Sequence, residues 1–327
     1  MKLRSLPMMM CLVPLCMALD VAAQVAQDKF PTRPVRLIAP YPPGGGADFT
    51  GREIAQKLTE AWGQQVVVDN RPGAGTAIGH DIVAKSRPDG YTLGLGSAAG
   101  MAVNPVMGTK LPYDALKDFS TIGLIVSLPF IVAVPTALPA NNMRELIALA
   151  KAQPGKLNFA SPGMGTPNHL GGEMLKMMTG INIVHVAYKG AGPLMVDQIG
   201  GHIMLSFTAP IVSKPHIDSA KLRAIAVTSE KRWPGLPSVP SVAESGYPGF
   251  DVYVWVALFA PAGTPRPIID KIAADVTKTL ESQEIKERFA GASIEVGAST
   301  PDGLAQFMKK DFELWDKLIK SQGIKLD

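Results

Sequence analysis

One pattern recurs along this chain: a short unbroken apolar run, a glycine-rich turn, then a stretch with apolar residues at helical spacing. Val35 to Ala39 reads as a strand, followed by Pro42-Pro43-Gly44-Gly45-Gly46 and a helix carrying Ile54, Ala55, Leu58, Ala61 and Trp62. Val66 to Val68, Tyr91 to Leu95, Ile131 to Val134, Leu157 to Ala160, Ile183 to Val186, Ile203 to Phe207 and Ala224 to Thr228 extend the series. Strands that are apolar throughout, not alternately, are buried on both faces and need helices above and below. The pattern predicts an α/β fold with a mostly parallel sheet. At 327 residues the chain exceeds what one core usually serves, so two domains are expected.

The helices have readable ends. Asn142 is placed to cap a helix carrying Met143, Leu146, Ile147 and Ala150, with Pro154-Gly155 beyond its end. Thr264-Pro265 opens another, and Thr300-Pro301 opens the last, whose stripe is Leu304, Met308, Phe312, Trp315 and Ile319. Such stripes are ordinary core packing. The chain is expected to cross between domains near Ser127-Leu128-Pro129 and again between Pro248 and Tyr253. Residues 24–127 with 250–327 then form the first domain and 128–249 the second, with the C-terminal helices returning to the first.

Lys2 and Arg4, the apolar run Met8 to Leu19 and the small residues Val21-Ala22-Ala23 read as a secretory signal over residues 1–23. The run is too short for a bilayer span, which takes about 20 residues. Cys11 and Cys16 both lie in this segment, so thiol and disulfide chemistry leave with it. A periplasmic location is expected. A net charge of +4, with no basic stripe and only 6% aromatic residues, makes nucleic acid a poor partner.

Chemistry, where there is any, belongs to the glycine-rich turns. They are Pro42 to Asp48, Gly73-Ala74-Gly75-Thr76, Gly96-Ser97-Ala98-Ala99-Gly100 and Ser161 to Thr166, each after a strand and before a helix. Glycine lets the backbone approach a ligand, and the first N–H groups of a helix have no internal partner. Ligands of open α/β sheets sit outside the strand carboxyl ends. Such turns gathered at one edge make a cup for a small anion. Nucleotide motifs are lacking: there is no P-loop, and neither Gly73-x-Gly75 nor Gly163-x-Gly165 completes a dinucleotide fingerprint. There is no G-x-S-x-G elbow, and His80, His169, His185, His202 and His216 show no metal spacing. No cofactor and no metal are expected. Ser161 with His169 leaves a secreted enzyme acting on a carboxylate as one alternative reading, and a ligand-sensing adaptor for a membrane sensor protein as another.

The ordered motifs carry more. Tyr41 to Asp48 (YPPGGGAD), Asn70 to Gly75 (NRPGAG), Pro88 to Thr92 (PDGYT), Asn104-Pro105 and Leu111 to Asp114 come first. Pro154 to Leu157, Ser161 to Thr166, His169-Leu170, His185 to Gly190 (HVAYKG) and Ala260 to Pro265 (APAGTP) follow. In this the chain resembles the Bug family, the extracytoplasmic receptors of tripartite tricarboxylate transporters, over nearly its whole length. The resemblance implies a type II periplasmic binding protein fold, two α/β domains with a ligand cleft between them. It implies a receptor without catalytic activity that holds a small organic carboxylate through backbone amides and passes it to membrane permease subunits. Acting as a monomer suits a diffusing receptor, though the sequence does not fix the oligomeric state.

Carried over by motif, the ligand residues of the first domain are Tyr41, Gly45, Gly46, Ala47, Asp48, Gly73, Ala74, Gly75, Thr76 and Ser97. Those of the second are Ser161, Gly165, Thr166, His169, Tyr188 and Thr208. Four positions depart from the family pattern. Ala47 lacks a hydroxyl found in relatives. Thr76 stands where a third glycine is common and disfavours a positive φ. Ala187 replaces a proline before Tyr188. Thr208 stands where an aspartate is usual, which removes a counter-ion for an amino group and favours a plain mono- or dicarboxylate.

Overall fold

The structure is a computed structural model that describes residues 30–44, 46–291, 294, 296–297 and 299–322. The signal expected over residues 1–23 and the site candidate Gly45 lie outside the described residues. Ten strands are described: β1 (Val35–Ala39), β2 (Val66–Asn70), β3 (Thr92–Gly96), β4 (Phe119–Pro129), β5 (Ile131–Pro135), β6 (Asn158–Ser161), β7 (Val184–Ala187), β8 (Leu205–Thr208), β9 (Leu222–Val227) and β10 (Tyr253–Pro261). They form two five-stranded sheets, ordered β2-β1-β3-β10-β4 and β7-β6-β8-β5-β9. Helices α1 (Gly46–Trp62) and α2 (Ala77–Ala84) follow β1 and β2. A π-turn, Ala99–Val103, and the short α3 (Asn104–Val106) follow β3. Helix α4 (Met143–Ala152) precedes β6, and α5 (Pro167–Thr179), α6 (Ala191–Ile199) and α7 (Pro210–Asp218) follow β6, β7 and β8. Helices α8 (Arg266–Glu281), α9 (Gln283–Gly291) and α10 (Pro301–Gln322) close the chain.

Both sheets share one plan. A parallel trio, β2-β1-β3 or β7-β6-β8, is extended by a strand running the other way. That strand is β10 in the first sheet and β5 in the second, each the first strand after a crossing. Half of the strand pairings are therefore antiparallel, and the expectation of a mostly parallel sheet is corrected to two mixed sheets. Strand β4, eleven residues long, is also new. Ser120, Thr121, Gly123 and Ser127 break its apolar run, so no strand was read there. The expected linker around Ser127-Leu128-Pro129 is the end of this strand, paired with Trp255, Val254 and Tyr253 of β10.

The two crossing segments are bonded to each other. Only Phe130 separates β4 from β5. Its N–H donates to the Thr228 hydroxyl at 2.7 Å, and Thr228 N–H donates back to Phe130 O at 3.0 Å. The same hydroxyl donates to Val252 O at 2.6 Å, and Val252 N–H reaches Thr228 O at 3.0 Å. Thr228 is fully buried, so these bonds are not exchanged with water.

Helix α10 has its capping signal in place, with Gly303 N–H donating to Thr300 Oγ1 at 3.0 Å. It does not stay on the first sheet. Leu304 and Met308 pack with Trp255, Ala257 and Phe259 of β10, while Trp315, Leu318 and Ile319 join the core of the second sheet with Phe130, Leu170 and Phe207. Between these halves Asp311 accepts the indole N–H of Trp255 at 3.0 Å. Burial pushes the Asp311 carboxyl up to about 7, against that hydrogen bond, and the negative charge of Asp251 adds to the rise.

The sign of the resulting pH dependence follows. Between the ordinary value of 3.8 and about 7 the folded chain keeps this proton and the unfolded chain loses it. Stability falls as pH rises across that window, by up to about 1.4 kcal/mol per pH unit. Asp311→Asn keeps an acceptor for Trp255 and removes the charge. Its melting temperature, followed by circular dichroism, is expected to exceed that of the parent by several degrees at pH 8 and to vary less between pH 5 and pH 8.

Candidate ligand site at the strand carboxyl ends

Parallel pairing decides where the candidate residues gather. In the first sheet Val35, Arg36 and Leu37 of β1 lie opposite Val66, Val67 and Val68 of β2, and Arg36 also faces Thr92 of β3. The three strands end at one edge, which brings together the turns bearing Tyr41 to Asp48, Gly73 to Thr76 and Ser97. In the second sheet Ser161 ends β6, Tyr188 follows β7 and Thr208 ends β8, again at one edge.

Asn70 and Asp48 build the first turn. The Asp48 carboxylate, 3% exposed as a residue, accepts from Gly44 N–H at 2.9 Å, Arg52 Nε at 2.9 Å and Asn70 Nδ2 at 2.8 Å. Asn70 Nδ2 also donates to Tyr41 O at 3.1 Å. Burial opposes ionisation of Asp48, yet the Arg52 guanidinium, the Gly44 N–H and the Asn70 amide outweigh it and hold the carboxyl at about 2. The side chain of Asp48 is thus committed to the turn. Gly46 opens α1 and Ala47 is half-buried beside it.

The second turn is wound in the left-handed sense. Gly73, Ala74, Gly75 and Thr76 have φ of 126°, 46°, 60° and 82°. Thr76 therefore adopts the positive φ that its β-branched side chain was expected to resist. Non-glycine residues in this region cost about 1–3 kcal/mol each and persist only where neighbours over-determine them. Here Thr76 N–H donates to Gly73 O at 3.0 Å, and Asn104 Nδ2 donates to Gly75 O at 2.6 Å. Beneath lie buried His80, bonded to Leu95 O at 3.2 Å, and Tyr113, which donates to Gly100 O at 2.8 Å. Asn70, Asn104, His80 and Tyr113 were missed as site builders. Asn70, Asn104 and Tyr113 sit inside quoted motifs, and that was the available signal.

In the second sheet Tyr188 N–H donates to Ser161 O at 3.0 Å and Gly190 N–H to Pro162 O at 3.1 Å, which docks the β7 turn on the β6 turn. The Tyr188 hydroxyl donates to Asp197 at 2.6 Å; burial first, then the Asp197 charge, push it up to about 12. Thr166 caps α5 by accepting from His169 N–H, and its hydroxyl donates to Gly163 O at 2.8 Å. Gly165 N–H donates to His169 Nδ1 at 3.2 Å. Ser161 does not meet His169. It meets His185 instead, Oγ to Nε2 at 2.8 Å.

Three candidates remain with chemistry to spare. Tyr41 Oη, Thr76 Oγ1 and Thr208 Oγ1 are buried and make no hydrogen bond of good geometry among the described residues, though Ser97 lies near Tyr41 and Tyr113 near Thr76. A buried polar atom left so costs about 1–3 kcal/mol and calls for an explanation. Asp81 Oδ1 and the indole nitrogens of Trp233 and Trp315 are in the same condition outside these turns. Of the three hydroxyls, two come from the first sheet and one from the second. No group of three or more acidic, histidine or cysteine side chains with metal-binding geometry occurs among the described residues, and no described helix is long and apolar enough to cross a membrane.

Comparison with known proteins settles the family. Residues 50–324 match the model of the tripartite tricarboxylate transporter family receptor. The chain belongs to that family. It is 37% identical over 307 residues to the protein BugT of Bordetella pertussis, covering 94% of each chain. Among solved structures it is similar to the periplasmic binding protein BugD, with 35% identity, a TM-score of 0.76 and coverage of 90% of this chain and 99% of the other. It is similar also to Rpa4515 of R. palustris, solved with adipate, with 33% identity, a TM-score of 0.80 and the same two coverages. The fold is that of a periplasmic binding protein, and the receptor is a solute-binding protein, not an enzyme.

The bonds of Asp48 give a direct check on the first turn. Asp48→Ala removes three acceptances by a charged group, each contributing about 1.5–3 kcal/mol. With partial relaxation, a loss of about 2–4 kcal/mol in urea unfolding is expected at pH 7. Because this carboxyl is depressed, its contribution is present above 3.8 and fades as pH falls through about 2, so the gap to the parent should narrow in acid.

Proposed function

We propose that this receptor captures a small organic carboxylate between two domains, 24–127 with 250–327 and 128–249, and delivers it to the permease subunits of a tripartite transporter. The observation that carries this reading is the set of buried hydroxyls of Tyr41, Thr76 and Thr208, drawn from both sheets, none of which makes a hydrogen bond of good geometry within the protein. Each lies at a strand carboxyl end, where a ligand of this fold class sits. The adipate bound by Rpa4515 supports a carboxylate as the solute class. In this reading the protein works in the periplasm as a monomer, after removal of residues 1–23, and needs no cofactor.

The roles divide. Tyr41, Thr76, Ser97 and Thr208 supply side-chain hydroxyls. Gly46, Ala47, Gly73, Ala74 and Gly75 supply main-chain N–H groups. Asp48 and Tyr188 hold their turns, with both carboxylate and phenol already bonded inside the protein. Ser161, Gly165, Thr166 and His169 shape the second-domain loop. Micromolar affinity requires about −8 kcal/mol, and three or four hydrogen bonds to one carboxylate supply about 5–10 kcal/mol before ordering costs. A buried arginine is not required.

Thr208 sharpens the solute class. A carboxylate there would neutralise an ammonium, whereas a threonine hydroxyl can accept one of its hydrogens but brings no opposite charge. A thermal-shift panel of aliphatic and aromatic mono- and dicarboxylates, adipate among them, set against amino acids is expected to show stabilisation by an acid lacking an amino group. At 100 times its dissociation constant that acid adds about 2.7 kcal/mol. Thr208→Asp is expected to weaken it and to admit an amino acid. Tight binding of an amino acid by the parent, with none of its deaminated analogue, would overturn this assignment, and chemical turnover of the bound acid would overturn the receptor reading.

A further inference from the structure

Three aromatic rings, Phe159, His185 and His169, cluster beside the second-domain loop. Phe159 of β6 lies directly opposite His185 of β7 in the parallel register, so both side chains share one face of the sheet. Their ring centroids are 4.8 Å apart. His185 stacks on His169 of α5 at 3.9 Å with an interplanar angle of 21°. Helix α5 approaches this closely because of Gly172: a Cβ there would fall 2.0 Å from the Phe159 ring. Ser161, two residues beyond Phe159, is on the same face.

Each imidazole holds one end of the loop. At the start, Ser161 Oγ lies 2.8 Å from Gly163 O and 2.8 Å from His185 Nε2. With its one hydrogen on Gly163 O, the hydroxyl accepts the Nε2–H of His185. At the far end, His169 Nδ1 accepts from Gly165 N–H at 3.2 Å. A backbone N–H can only donate, so Nδ1 bears no proton and the tautomer of His169 is Nε2–H. That proton points along α5 toward Glu173, whose Oε1 is 3.9 Å away.

We propose that His185 and His169 are positioning residues of the ligand site: a stacked pair that pins the 161–166 loop at Ser161 and at Gly165, the Gly165 end only while the His169 ring is neutral. The proposal rests on the reading of that loop as part of the carboxylate site. Neither ring needs to touch the solute. His169 is 3% exposed and its acceptor nitrogen is turned to the loop backbone. The charged surroundings agree. Besides each other, the two rings face Glu173 and Lys176 of α5. Strands β6 and β8 bring no titratable side chain, only Asn158 to Ser161 and Leu205 to Thr208. Burial holds both imidazoles down at about 4; the Lys176 charge adds to this for His169, as does the neighbouring ring for His185. Protonation of Nδ1 would set a donor against the Gly165 donor, so the loop should loosen as pH falls through about 4.

Hydrogen exchange on the full chain tests this without any added solute. His185→Phe keeps a ring in the stack and deletes the bond to Ser161; Ser161→Ala deletes the same bond from the other side, together with the Ser161–Gly163 bonds. Each is expected to speed exchange of the 161–166 amides about tenfold, with peptides from α8 unchanged. The double variant should be no faster than the faster single, as one shared bond requires. His185→Gln, which retains a donor, should recover part of the protection. In the unmodified chain, nitrogen-15 spectra should show His169 unprotonated at Nδ1 at pH 7, and Gly165 amide protection should fall together with protonation of that ring. Loop exchange within twofold of the parent in a folded His185→Phe variant overturns the proposal, as does a proton on His169 Nδ1 at pH 7. Failure of adipate and every other acid of the panel to bind would instead remove the carboxylate reading, with exchange and imidazole spectra still deciding this one.

Discussion

Parallel pairing of three strands in each sheet is the constraint on which the remaining architecture depends. A parallel trio must be joined by crossover helices, and those helices all begin at the same edge. The turns that lead into them are then neighbours whatever their distance in sequence. Tyr41, Thr76 and Ser97 are gathered in this way in the first sheet, and Ser161, Tyr188 and Thr208 in the second. The opposed strands β10 and β5 extend each trio without disturbing that edge. They carry the chain from one sheet to the other, and Thr228 bonds the two passages together at Phe130 and Val252.

Within these turns most polar groups are spent on the protein itself. Asp48 joins Gly44, Arg52 and Asn70; Asn104 holds Gly75; Tyr188 holds Asp197; His169 and His185 hold Gly165 and Ser161. Such internal bonding keeps a loop of small residues in one shape, and so lowers the ordering cost a solute must meet. It also explains how Thr76 and Ala74 are kept in the left-handed region. The turn hydroxyls that make no hydrogen bond of good geometry are few and come from both sheets, which suits recognition of a small solute with few polar atoms.

Much of this was readable before any coordinates, because local signals were strong. The caps Asn142 and Thr300, the apolar strands and the glycine turns each depend on a handful of adjacent residues. The family motifs then supplied the fold and the candidate residues as a set. What escaped depends on register across long separations. No spacing rule links Phe159 to His185, or Ser161 to the ring that bonds it, since only the β6–β7 pairing brings them together. Strand β4 escaped because serine, threonine and glycine interrupt it on its way between two buried faces. The antiparallel strands escaped because direction is set by where the chain crosses, not by composition.

Helix α10 sets a mechanical condition on the receptor. Its first half belongs to the core around Trp255 and its second half to the core around Phe130 and Phe207, with the half-buried Asp311 seated between them. Rotation of one sheet against the other cannot be confined to the two crossing strands. It must also bend this rod or slide one of its halves across its bed, and either motion strains the indole bond at its centre. The helix is thus a splint laid along the joint between the two sheets, and any displacement of one against the other has to be met by its side-chain packing.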